Sequence, residues 1–307
     1  MEKINLYSRG GEREHGSAVR DSATVILLRE AAAAPYEVLL MRRRRNQSFM
    51  AGAHVFPGGS LEDADKGPEL AACLGGVHSA DAKRLLQEPD LPEETARGLF
   101  VAAVRETFEE AGVLLARDAR GRLVDLSDPG MLSRFAAYRL ALHGGEITLA
   151  QLLRREGLSL ALDLLVPYAH WITPEVDSRR FSTRFFLARL PEGQTPVHDR
   201  MELAESCWMT PRFALAEHGA GRIVLMPPTL KTVEELLAFP DIGRLFDVAR
   251  SRRIFAVLPQ AVRTVDGFRL LLPHDPEYTL DGYRQPPHRG ETTRIVMEGG
   301  IWKTGTA

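Results

Sequence analysis

The run Arg105-Glu-Thr-Phe-Glu-Glu-Ala-Gly-Val113 constrains this 307-residue chain more than any other stretch. At about 100° per residue in a helix, Glu106, Glu109 and Glu110 fall within roughly 100° of arc. Phe100, Val104 and Phe108 fall near the opposite side, so a helix here has an apolar face to bury. Three like charges at i, i+3 and i+4 repel one another. A shared hard cation, Mg²⁺ or Mn²⁺, would remove that conflict. A solvated acidic face is the alternative, and it is where most Glu-rich runs end. The helix ends are also marked. Asp90 with Glu93 reads as a capping box, Pro92 falls in the first turn, and Gly112 is a natural closing residue. Gly98 inside the run costs about 1 kcal/mol of helix propensity, so irregular first turns are expected.

A second segment, His54-Val-Phe-Pro-Gly-Gly-Ser-Leu-Glu-Asp63, bears on the choice. Val55 and Phe56 end an apolar run, Pro57 sets a turn, and Gly58 and Gly59 permit close backbone approach. With the downstream Arg-Glu-x-x-Glu-Glu-x-Gly helix, this segment resembles the Nudix hydrolase family, whose box reads G-x5-E-x7-R-E-U-x-E-E-x-G-U. Gly59 matches the opening glycine, and Arg105, Glu106, Glu109, Glu110, Gly112 and Val113 match the second half, with Thr107 at an aliphatic position. From Gly59 to Arg105 is 46 positions against 14 in the uninterrupted box, so 32 residues are inserted. Counted back from Arg105, the first box Glu is replaced by Arg97, which leaves Glu93, Glu94 or Glu62 as substitutes.

An interrupted box resembles one branch of the family, the coenzyme A diphosphatases of Nudix type. Met41-Arg-Arg43, Ser48-Phe-Met50, Val55 to Gly59, Arg180-Phe-Ser-Thr-x-Phe185 and Trp208 are similar to that branch, over roughly residues 20 to 240. The resemblance implies an α/β fold: a mixed sheet between helices, with helical insertions and a β-rich C-terminal extension. It further implies a metal-dependent pyrophosphohydrolase acting on a nucleotide-derived diphosphate, coenzyme A or acyl-coenzyme A. Alternatives are ADP-ribose or a nucleotide sugar as substrate, a nucleotide-sensing module without turnover, and a scaffold that binds a protein partner.

The residues expected at the site follow. Glu106, Glu109 and Glu110 would hold Mg²⁺ or Mn²⁺, with Glu110 the first candidate for general base and Glu109 and Arg105 beside it. Glu202 and Glu205, ahead of Trp208, are alternative bases. Gly58 and Gly59 would shape the pocket, and Arg42 and Arg44, on one face by strand alternation, would meet substrate phosphates. His54, His170 and His198 read as surface or strand-edge histidines, Arg180 and Arg184 as strand-edge charge, and Trp171 and Trp208 as core.

Composition excludes more than it selects. A net charge of −2 supplies no field for nucleic acid. No apolar run reaches the length of a membrane span, and no secretory signal is evident. Cys73 and Cys207 are far apart with no ligand pattern, which fits a reduced, cytoplasmic setting. Residues 1–20 read as a loose arm, 21–240 as the main domain with insertions at about 63–90 and 114–165, and 241–307 as the β-rich extension. The insertions could form a lid or a homodimer surface. Strands are expected at 23–28, 36–41, 169–172, 182–190 and 207–209, helices at 211–218 and 229–239, and β structure after Pro240.

Overall fold

A computed structural model describes residues 18–44, 50–77, 79–199, 203–264, 267–286 and 292–307. Most of the expected arm, Ser48, Phe49 and Glu202 therefore lie outside the described residues. The strand β1 (Arg20–Arg29) and its partner β2 (Glu37–Arg43) precede two short strands, β3 (His54–Val55) and β4 (Gly58–Ser60). Next come α1 (Asp63–Lys66), a 3₁₀ turn, β5 (Leu74–Gly75), α2 (Ser79–Leu86) and the long α3 (Glu93–Ala111). The second insertion contains β6 (Ala116–Arg117), α4 (Pro129–His143), α5 (Leu149–Glu156) and β7 (Ser159–Ala161). The chain returns to the sheet with β8 (Val166–Ile172), β9 (Phe181–Arg189) and β10 (Leu203–Met209), followed by α6 (Pro211–Gly219), α7 (Pro227–Leu236) and α8 (Ile242–Ser251). It ends with β11 (Ala256–Val257), β12 (Gln260–Thr264), β13 (Gly267–Leu271), β14 (Arg294–Glu298) and β15 (Ile301–Gly305).

The main sheet is mixed, in the order β10-β2-β1-β9-β8-β11, with β3 beside β2 and β4 beside β1. Strand β1 runs parallel to β9 and antiparallel to β2 and β4. Its side chains are buried on both faces, which explains why it reads as an unbroken apolar run rather than an alternating one. Ala23, Val25, Leu27, Leu39 and Met41 pack on the α3 side. Ile26, Leu28, Val38 and Leu40 face the other way, onto α7 and α8. The result is the expected three-layer sandwich, and β12-β13-β14-β15 form the separate β-rich sheet.

Three local expectations are corrected. The N-cap of α3 is Pro92 with no side-chain cap, so Asp90 and Glu93 do not form a capping box. Helix α3 runs regularly through Gly98. A Cβ there would lie 2.8 Å from Lys66 Cγ and 3.0 Å from Leu61 Cδ1, so the glycine admits the α1 segment against the helix. The stretch after Pro240 begins with a helix, α8, capped by Asp241 and burying Ile242, Leu245, Phe246 and Ala249. That spacing of i, i+3, i+4 and i+7 is helical, and the buried stripe holds α8 on the main sheet.

Candidate active site

Thirteen of the nineteen residues of α3 are buried, so it is a core helix and its acidic face is not a solvated one. The Glu106 and Glu109 side chains are each 13% exposed, and Glu110 is buried. The helix presents Glu106 and Glu110 to the β3–β4 turn. The Gly58 N–H donates to Glu110 Oε2 at 2.8 Å. A Cβ on Gly59 would stand 2.3 Å from Glu106 Oε1, so the absence of a side chain is what lets this backbone meet the carboxylate. At Gly58 a Cβ would stand 2.4 Å from the Ala23 carbonyl. Both halves of the split box thus meet in one place, as expected.

Arg105 is the hub of the cluster. Its Nε and Nη2 donate to Asp65 at 2.8 and 3.0 Å, and Nη2 also reaches the Ser60 carbonyl at 2.8 Å. Nη1 donates to Glu106 at 2.9 Å and to Glu109 at 3.4 Å, with Glu62 3.9 Å away. Burial works against the charge of Arg105, but the bonds to Asp65 and the charges of Glu106 and Glu109 raise its pKa further. Burial pushes the Glu106 carboxyl up to about 7; Arg105 opposes this and Glu109 adds to it. Glu109 is raised as well, again by burial first and against the pull of Arg105.

Asp65 was not among the expected site residues. Spacing backward from Arg105 points instead to Arg97, with Glu93, Glu94 or Glu62 as substitutes. Counted forward from Gly59, five residues intervene before Asp65, the spacing the box requires. The interruption therefore falls between Asp65 and Arg105, and the fold closes it: α1 and α3 pack together and Asp65, 1% exposed, grips Arg105. Arg97 instead donates to the Lys66 carbonyl at 3.0 Å. Asp65 also accepts from the Glu62 N–H at 2.9 Å, so the short α1 is built around it.

A cleft of about 830 Å³ adjoins this cluster, lined in part by Arg20, Ser60, Glu62 and Lys66.

The other expected residues are placed differently. Arg42 and Glu205 bond each other at 3.0 Å across β2 and β10. Alternation along β2 puts Arg42 with Val38 and Leu40, on the face away from α3. Arg44 is exposed just beyond β2. Arg184 is not strand-edge charge. It is 4% exposed, bound to Glu88 at 2.9 and 2.6 Å and to Asp21, and so ties the first insertion to the sheet. His54 and His170 are buried rather than superficial, at 5% and 7% exposure. Trp171 is core, whereas Trp208 is half-buried with the Arg29 guanidinium 4.4 Å over its ring.

At its far end α3 is held by the second insertion. Gly112, at φ 70°, closes the helix with its N–H on the Phe108 carbonyl at 2.9 Å. Arg139 of α4 donates to the carbonyls of Glu109 at 2.6 Å, Glu110 at 2.5 Å and Val197 at 2.7 Å.

The chain is similar to known proteins. A family model described as the NUDT19 Nudix domain matches residues 19–236. The acyl-coenzyme A diphosphatase NUDT19 of Gallus gallus is 30% identical over 323 residues, covering 91% of this chain and 83% of that protein. Its namesake in Homo sapiens is 29% identical, covering 77% of this chain and 70% of that protein. Among solved structures, a NUDIX hydrolase from Alicyclobacillus acidocaldarius matches with a TM-score of 0.61 at 27% identity, covering 77% of this chain and 97% of that one. No helix among the described residues is long and apolar enough to cross a membrane. With the split box reassembled on α3 and the family model spanning residues 19–236, the chain belongs to the NUDT19 Nudix family and is a Nudix hydrolase.

Proposed function

We propose that this enzyme hydrolyses the diphosphate of coenzyme A or an acyl-coenzyme A with the help of Mg²⁺ or Mn²⁺, releasing a phosphopantetheine product and adenosine 3′,5′-bisphosphate. The observation that carries the proposal is the meeting of Glu106 and Glu110 with Gly59 and Gly58, with Glu109 joined to Glu106 through Arg105. The choice of substrate is supported by the relatives, which are named acyl-coenzyme A diphosphatases.

The donor set fits a hard divalent ion. Asp65, Glu106, Glu109 and Glu110 set four carboxylates against the one guanidinium of Arg105, and burial raises the Glu106 and Glu109 carboxyls despite the pull of Arg105. Oxygen-only donors suit Mg²⁺ or Mn²⁺. Among the described residues no three such side chains are already arranged around a point, and Arg105 occupies the space between Glu106 and Glu109. When bound, the ion would neutralise diphosphate oxygens and lower the pKa of a coordinated water. Glu106, Glu109 and Glu110 would hold it. Arg105, anchored by Asp65, orients Glu106 and Glu109. The Gly58 N–H holds one oxygen of Glu110, and that carboxylate would take a proton from the attacking water.

The test is a panel of coenzyme A, acyl-coenzyme A, ADP-ribose and dinucleoside polyphosphates with Mg²⁺ or Mn²⁺, reading both phosphate-bearing products. Turnover highest on a coenzyme A species, abolished by chelation and restored by metal, is the expected result. Preference for ADP-ribose would replace the substrate, and tight binding without turnover of any member would replace catalysis with sensing.

A further inference from the structure

Four carbonyls at the C-terminus of any α-helix lack partners within the helix. In α3 these belong to Phe108, Glu109, Glu110 and Ala111, and each has an identified donor. Phe108 takes the Gly112 N–H at 2.9 Å, and Ala111 takes the Val197 N–H at 2.8 Å. The middle two, those of Glu109 and Glu110 themselves, are taken by Nε and Nη2 of Arg139. The third arm of that guanidinium holds the Val197 carbonyl. One planar fork therefore fixes the last turn of the acidic helix and the 197 segment as a unit. A lysine, with a single nitrogen, could not span these three acceptors.

The charge matters as well as the geometry. Glu109 and Glu110 sit in the last turn, where the negative end of the helix dipole disfavours carboxylates. Arg139 places a cation there, within electrostatic reach of Glu109, Glu110 and Asp199. Its helix belongs to the second insertion, and α4 packs on α3 through Phe135, whose ring lies 6.4 Å from that of Phe108 in an edge-on arrangement.

We infer that Arg139 is a positioning residue for the hydrolytic reaction: the inserted helix α4 supplies the C-terminal cap of the catalytic helix and thereby sets Glu109 and Glu110. This rests on the reading of those glutamates as metal-holding groups. The second insertion is then part of the catalytic apparatus.

The experiment compares Arg139→Met, Arg139→Lys and Glu110→Gln with wild type in two readouts. One is Mn²⁺ affinity of the substrate-free protein by electron paramagnetic resonance titration. The other is kcat and KM on coenzyme A, at a temperature well below each variant's unfolding midpoint. Arg139→Met is expected to weaken Mn²⁺ at least fivefold and to lower kcat at least 10-fold with KM within threefold. Added guanidinium ion should restore part of both, and Arg139→Lys should fall between. A folded Arg139→Met with wild-type Mn²⁺ affinity and kcat, showing only a lowered unfolding midpoint, overturns the inference while leaving the catalytic reading intact. If Glu110→Gln also leaves Mn²⁺ affinity unchanged, the reading of the carboxylates fails and the inference fails with it.

Discussion

Asp65 and Arg105, 40 residues apart in the chain, meet through two parallel N–H···O bonds of 2.8 and 3.0 Å. Both side chains are almost fully buried. Removing one charge of such a pair leaves the other without compensation, at a cost of about 3 kcal/mol. Asp65→Asn should therefore lower unfolding free energy by about that much in denaturant titration. Turnover should fall too, because Arg105 is then free to draw closer to Glu106 and Glu109. A change within 0.5 kcal/mol, the ordinary range for a surface substitution, would show that the pair is replaceable.

The two glycines of the β3–β4 turn should fail differently. A methyl on Gly59 meets the end of a flexible side chain, Glu106, which can swing away. A methyl on Gly58 meets the Ala23 carbonyl and Thr24 Cα, which cannot. Gly59→Ala is expected to keep most of its stability and lose at least 10-fold in kcat, whereas Gly58→Ala should unfold at markedly lower denaturant. Equal stability losses for the two would contradict this account.

Glu110 and Glu205 compete as the general base, and their surroundings separate them. Glu110 is buried in α3 against Gly58, while Glu205 is exposed and paired with Arg42 on the other face. Glu110→Gln should lower turnover by at least about 10²-fold, the scale of a lost general base or metal ligand. Glu205→Gln should stay within threefold of wild type. The reverse order would move the chemistry to β10.

His170 gives a pH dependence of known sign. Burial first, then Arg184, lowers its pKa from 6.5 to about 4, against the opposite pull of Glu88 and Asp21. Above pH 6.5 both folded and unfolded chains hold it neutral. Between 6.5 and 4 only the unfolded chain takes up the proton, so this contribution to stability is lost as pH falls through that window. His170→Gln carries no such proton. Its stability relative to wild type should improve as pH drops from 6.5 to 4, with a slope approaching about 1.4 kcal/mol per pH unit. A difference that stays flat in urea titrations across that window would assign the acid sensitivity elsewhere.

The acidic helix and the glycine turn are legible without coordinates because both depend on local rules. Helical period places Glu106, Glu109 and Glu110 together, and only glycine permits the approach seen at Gly59. Strands β1 and β2 announce themselves by apolar runs. Helix α8 was equally legible, since Asp241 and the spacing of Ile242, Leu245, Phe246 and Ala249 carry a helix signal. Asp65 also carries a local signal, since it stands six positions after Gly59, where the box places its first carboxylate.

Other features have no local trace. Nothing along the chain near Arg139 distinguishes it from Arg134 five residues earlier, yet one caps α3 and the other pairs with Glu156 at 2.9 Å. Arg184 and His170 look like ordinary strand residues until Glu88 of the first insertion closes over them. By itself the sequence determines which residue types can share a face or a turn, because period and backbone sterics act over a few residues. Only the tertiary structure decides which charge each arginine answers, because that depends on distance through space between segments the chain separates by tens of residues.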